Sequence, residues 1–251
     1  MAEKPILFTG DMVRAILDGS KTQTRRVVRD DCLQAVQFDE ISSIMNTPPR
    51  YKSGKWVYEL QSAVDDTDYY EIKCPYGVPS DLLWVREKWR PLYRMHTNTL
   101  VGACFRWRGG GRAFNSKHKN SDIIDDLCSF KPSIHMFKWA TQIWLKVKSV
   151  WVERVQDISE DDAICEGTQG GGVHPDFWAG AFHDLWDSIN KDRGVCKTCK
   201  GHQQVVGWSG SLENNSLMQT AEDCPDCSGP TGYGWDMNPW VWVVEFERYN
   251  K

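Results

Sequence analysis

The sequence lacks a membrane-spanning run. None of its apolar stretches approaches the roughly 18 residues that a spanning helix needs. The apolar part of "MAEKPILFTG" (Met1 to Gly10) is too short for a secretory leader, so none is expected. There is no basic excess. Thirty lysines and arginines face 34 aspartates and glutamates, a formal charge of −4. That balance argues against a protein that coats duplex nucleic acid by neutralising many phosphates, and it leaves room for a small basic pocket. The nine cysteines, an odd number without a leader, favour a reducing cytoplasm over a disulfide framework. "GGGR" (Gly109 to Arg112) lacks the strand before it and the helix after it that a phosphate loop requires, so it reads as a flexible turn.

What the chain does have is enough length, 251 residues with 41% hydrophobic content, for one large domain or one domain with an insert. Its 13 tryptophans stand partly in period-two patterns, which suits aromatic-rich strands. "TGDMVRAILDG" predicts a helix over Asp11 to Asp18, with Thr9 as cap, Met12, Val13, Ile16 and Leu17 as its apolar stripe and Gly19 as its stop. Strands are predicted at Lys55 to Gln61, Leu82 to Trp89, Ile143 to Val152 and Trp240 to Arg248, the last with Trp240, Trp242, Val244 and Phe246 on one face and Val241 and Val243 on the other. "DISEDDAICEG" predicts a helix capped by Ser159, with Asp162 in the capping-box position and Gly167 as its stop. A second helix is expected over Pro175 to Asn190. Segments 30–73 and 94–131 read as mostly polar and irregular.

The most specific motif is a pair of knuckles, "CKTCKG" and "CPDCSG". A two-residue spacer lets both thiolates of a knuckle face one metal, and two knuckles complete a tetrahedral site. Cys196, Cys199, Cys224 and Cys227 are therefore the expected ligands of one structural zinc. With all four positions taken by sulfur, no coordination position remains open for catalysis, and His202 would be a fifth ligand. The clip sits between a helix and the closing strand. This divides the chain into residues 1–190 plus 236–251 and an insertion over 191–235.

"ILDGSKTQTRR" (Ile16 to Arg26) is the other unusual stretch. Its cations are either a solvated face or part of a site. "KPILFTGDMVRAILDGSKTQTRRVV", "CPYGVPSDLLWVREKW", "PSIHMFKWATQIWLKVKSVWVERVQDISEDDAICEG" and "NPWVWVVEFER", in that order over about two thirds of the chain, resemble the ASCH-domain proteins of tailed phages and prophages, relatives of the PUA-like folds. Gly19, Lys21 and Arg26 match the glycine, lysine and arginine of that family's G-x-K-x-x-E-x-R signature if one residue is inserted. Thr24 stands in place of its glutamate.

The resemblance implies an α+β, PUA-like, mostly antiparallel barrel with short helices, its wall built from the strands at Leu82, Ile143 and Trp240. It also implies a nucleoside or RNA partner, and the host cytoplasm if the chain is phage-encoded. Lys21 and Thr24 share the spacing of the lysine and threonine in the small ASCH amidohydrolases that deacetylate N4-acetylcytidine. Glu166 stands where their glutamate lies, with Glu160 as the alternative. Arg25, Arg26, His135, Arg86 and Glu87 are expected around the same mouth as substrate contacts, and Trp84 and Trp89 as stacking or core residues. Two other functions stay open: binding RNA or a modified base without chemistry, and a phage accessory role in which the zinc clip docks a host protein.

Overall fold

A computed structural model of the chain describes residues 1–29, 50–52, 55–61, 67–72, 74–94, 100–105, 111–114, 123–124, 129–168, 177–198, 200, 204–211, 216–223 and 232–250. The first part holds β1 (Glu3–Leu7), α1 (Gly10–Asp18), β2 (Gln23–Val27), β3 (Arg50–Lys52), β4 (Lys55–Gln61), β5 (Thr67–Ile72) and β6 (Leu82–Arg86). Then come β7 (Trp89–Arg94), β8 (Leu100–Phe105), β9 (Gly111–Phe114), β10 (Ile123–Ile124) and β11 (Trp144–Arg154). Helices α2 (Glu160–Cys165) and α3 (Phe177–Asn190) follow, then β12 (Gln204–Ser211), β13 (Ser216–Asp223) and β14 (Trp240–Tyr249).

The fold is α+β around a five-stranded mixed sheet in the order β1-β6-β11-β14-β2. β1 and β6 are parallel, and the other three pairings are antiparallel. The three strands expected to form the wall are thus neighbours. β14 is buried on both faces, as its uninterrupted apolar run requires. Val244 and Phe246 join Leu83, Val85, Leu145 and Val147 under α1, while Val241 and Val243 pack with Phe182 and Trp186 of α3. Helix α1 inserts Val13 and Ile16 into the first of these clusters.

Several expectations are corrected. The ladder is open at β1 and β2 among the described residues, so backbone pairing does not close a barrel. The sheet instead curls until Arg26 of β2 donates to the Leu7 carbonyl of β1 at 2.7 Å. The strand expected over Leu82 to Trp89 is broken at Glu87 and Lys88, and Trp89 opens a second sheet, β10-β7-β8-β9. Apolar alternation continues across the break, so pattern alone does not reveal it. The segments read as irregular carry β3, β5, β8, β9 and β10 as well as the expected β4, and Gly111 and Arg112 begin β9 rather than a turn. Thr9 has the extended backbone of a cap but makes no side-chain capping bond.

Cys74 packs beside Trp240 and Trp242, and burial pushes its thiol up to about 11 from an ordinary 9.0. Because the thiolate is the reactive species, this predicts alkylation by iodoacetamide at pH 8 about 100-fold slower than at an exposed thiol. Peptide mapping by mass spectrometry after timed labelling reads this directly, and modification of Cys74 at the rate of a free thiol would contradict it.

Candidate functional site

Two helix ends meet to build the site. Helix α1 stops at Gly19, whose φ of +88° is open to glycine at little cost. The chain then turns so that the Lys21 amide donates to the Ala15 carbonyl at 3.0 Å. Helix α2 starts at Ser159, whose hydroxyl accepts from the Asp162 amide at 3.1 Å, and it ends at Glu166. The next residue, Gly167, has φ +74°, and a Cβ there would lie 2.9 Å from the Cβ atoms of both Ala15 and Lys21. Only glycine allows that approach. It lets Lys21 and Glu166 pair as an isolated antiparallel bridge, with the Thr22 amide bonded to the Cys165 carbonyl at 2.8 Å.

Within this bridge the Lys21 ammonium donates to both the carbonyl oxygen and Oε2 of Glu166, each at 2.6 Å. Both side chains are almost fully enclosed. Burial pushes the Lys21 ammonium below its ordinary value, opposed by the Glu166 carboxylate. Arg25 spends its guanidinium on three carboxylates. Nε and Nη2 reach Glu153 Oε1 at 2.8 and 2.7 Å, Nη2 reaches Asp162 Oδ2 at 3.3 Å, and Nη1 reaches Glu166 Oε1 at 3.4 Å. Buried charges persist only when paired and bonded in this way.

Thr24 and Glu166 open on a cavity of about 640 Å³, whose walls include Tyr76, Phe182, Trp186 and Trp242. That volume lies in the range of small-ligand sites. The regular strand begins only at Gln23, so Lys21 and Thr24 are not bound to the alternation of one strand. They nevertheless take different sides. Thr24 lines the cavity, while Lys21 lies behind Glu166 and is not part of the lining. Lys21 therefore contacts the carboxylate and not the threonine hydroxyl.

The remaining candidates are dispersed. Arg26 and Arg25 border the same cavity. His135 and Arg86 instead line a second cavity, of about 710 Å³, with Trp89 and Phe137. The expectation of one shared mouth for all five contacts is thus corrected: the break after Arg86 sends the chain into the second sheet. Glu87 is buried and lines neither of these two cavities. Trp84 is a core residue under the Arg86 guanidinium, 4.6 Å from its ring. Glu160 accepts from the Trp178 and Ala179 amides at 2.9 and 3.2 Å. It therefore caps the start of α3, where helix donors are otherwise unmatched, and Glu166 is the carboxylate at the site.

Of the four proposed zinc ligands, Cys196 is described and half-buried, while Cys199, Cys224 and Cys227, like His202, lie outside the described residues. Between the knuckles β12 and β13 form a two-stranded sheet, with no further strand among the described residues, and Gln204 stands opposite Asp223. Among the described residues no group of three or more potential metal ligands is clustered. Sequence reasoning did not single out Glu153, Asp162, Tyr76, Arg29, Arg193 or Trp186 as site residues. They are far apart in the chain, and no local signal marks them.

No family model matches the chain, and no curated protein or solved structure shows significant similarity to it. Among the described residues, no helix is long and apolar enough to cross a membrane.

Proposed function

We propose that this protein is a PUA-like, ASCH-type hydrolase that cleaves the amide of an acylated nucleobase, such as N4-acetylcytidine, in the cavity bordered by Thr24 and Glu166. The observation that carries the reading is Glu166, a buried residue that lines an aromatic-walled cavity while its carboxylate is held by Lys21 at 2.6 Å. In the reaction the Thr24 oxygen attacks the acyl carbon and its proton passes to Glu166. Glu166 delivers that proton to the departing amine as the C–N bond breaks, and water then releases the acyl group from Thr24. Lys21 is a positioning residue that orients and balances the carboxylate. Arg26, on the cavity lining, contacts the ligand.

A second reading, a pocket that binds RNA or a modified base without chemistry, is favoured by one feature: Lys21 is enclosed behind Glu166, away from the ligand space. Chromatography of N4-acetylcytidine incubated with the purified protein separates the two readings. Release of cytidine and acetate, lost in Thr24→Ala, supports the hydrolase. Saturable binding without turnover supports the pocket.

The insertion is proposed to fold around one structural zinc on Cys196, Cys199, Cys224 and Cys227. The antiparallel register of Gln204 with Asp223 supports this, because it brings the chain leading from one knuckle beside the chain entering the other. In this reading the clip is also the surface open to a host protein partner. Protein purified without added metal should contain about one zinc per chain by elemental analysis, and removing it with a chelator should expose the insertion to proteolysis. Metal-free protein with an unchanged digestion pattern would refute the site.

A further inference from the structure

The proposed reaction leaves part of the cavity unexplained. Arg26, Arg29 and Arg193 all line it, and among the described residues none of the three forms an ion pair. Among the described residues Glu166 is the one carboxylate on the lining, and it is already engaged by Lys21 and Arg25. Arg26 keeps a buried Nε with no hydrogen-bond partner. Arg193 is tied by Nη1 to the Asn190 side chain at 3.2 Å, which anchors it at the end of α3. Tyr76 lines the same cavity as the three arginines; burial pushes its hydroxyl up, and the charges of Arg26, Arg29 and Arg193 each oppose that rise. Burial pushes Arg26 below its ordinary value, and the Arg193 charge adds to that push.

Three cations thus line one cavity in a chain of net charge −4, and among the described residues none of them has an ion-pair partner. An anion between them would supply the partner they lack, and guanidinium forks suit phosphate oxygens in particular. Aromatic walls beside the cations suit a flat ring.

We infer that the ligand of this cavity is a nucleoside monophosphate, its base among Tyr76, Trp186 and Trp242 and its phosphate among Arg26, Arg29 and Arg193. This rests on the nucleobase reading above and adds the phosphate to it. A cavity of about 640 Å³ encloses one small ligand, which selects a mononucleotide over a strand.

The test is calorimetric titration of the full chain with cytidine, cytidine 5′-monophosphate and a short oligocytidylate. The monophosphate should bind at least about tenfold more tightly than the nucleoside, as charge-assisted bonds to phosphate would give. Arg29→Ala combined with Arg193→Ala should erase that difference, and both residues are exposed, so the variant should keep the parent melting temperature. Equal affinity for cytidine and its monophosphate, a preference untouched by the double variant, tighter binding of the oligonucleotide, or binding of none of the three would each overturn the inference. Turnover of N4-acetylcytidine is assayed separately. Turnover without a phosphate preference sinks this inference alone, and a phosphate preference without turnover sinks only the hydrolase.

Discussion

The Lys21→Ala variant should lose about 3–5 kcal/mol of stability, the usual cost of leaving one partner of a buried ion pair behind. Taken as a catalytic residue of the site, Lys21 is expected to be replaceable by alanine with turnover lost and the fold and zinc content intact. The structure revises that expectation, because its side chain has no solvent exposure and its ammonium holds both a carbonyl and a carboxylate oxygen of Glu166. Urea unfolding followed by circular dichroism measures the loss. The diagnostic control is Lys21→Met combined with Glu166→Gln. If the cost comes from an uncompensated carboxylate, the double variant should recover much of the stability, and the two changes should be strongly non-additive. Turnover should be absent from both variants. A single Lys21→Ala variant within about 0.5 kcal/mol of the parent, the range of neutral surface changes, would show that the pair does not hold the two helix ends together.

The second large effect is expected at Arg25. Its guanidinium joins β2 to the end of β11 through Glu153, and to α2 through Asp162 and Glu166. Removing it in Arg25→Met leaves three carboxylates near one another with their shared cation gone. The loss should reach at least the 3–5 kcal/mol of a broken buried pair. Arg25→Lys is the sharper variant. An ammonium is a compact charge that cannot reproduce a planar fork to three acceptors, so lysine should recover less than half of the loss. Added salt should restore little, since buried charges are poorly screened. Chemical unfolding of the two variants side by side reads the difference, and Arg25→Lys with parental stability would show that charge alone, without the fork, is what matters here.

Much of the main sheet was legible before the structure. The alternation in "WVWVVEF" carries its own answer: period two separates Trp240, Trp242, Val244 and Phe246 from Val241 and Val243, and the observed clusters follow that division. Ser159, Asp162 and Gly167 bound α2 through local chemistry, so that helix was readable at both ends. β8 was not. "LVGACF" (Leu100 to Phe105) is a short apolar run interrupted by a glycine, and its strand character comes from pairing on both sides, with β7 and β9. The break between β6 and β7 was equally hidden, because Leu82 to Trp89 keeps a strand-like pattern across it.

At the site, residue types were legible and their roles were not. "GSKTQTRR" announced a concentration of polar groups, and "AICEG" a carboxylate at a helix end. Whether Lys21 meets Thr24 or Glu166 depends on how closely α1 and α2 approach, which Gly167 permits through contacts across the fold. Glu160 and Glu166 were alternatives in sequence, and the start of α3 separates them by claiming Glu160 for its amides.

The sequence by itself determined the elements whose causes are local: the two-sided closing strand, the capped helix after β11, and the turn that ends α1 at Gly19. Solvent averaging and backbone sterics act on neighbouring residues, so those causes are written within a few positions of their effects. Tertiary structure alone decided which charges are spent and which are left over. Lys21 and Arg25 find their carboxylates some 130 to 145 positions away, and Arg26, Arg29 and Arg193, which line one cavity, have no ion-pair partner among the described residues. Coulomb energy and desolvation depend on distance in space, and three-dimensional packing sets that distance.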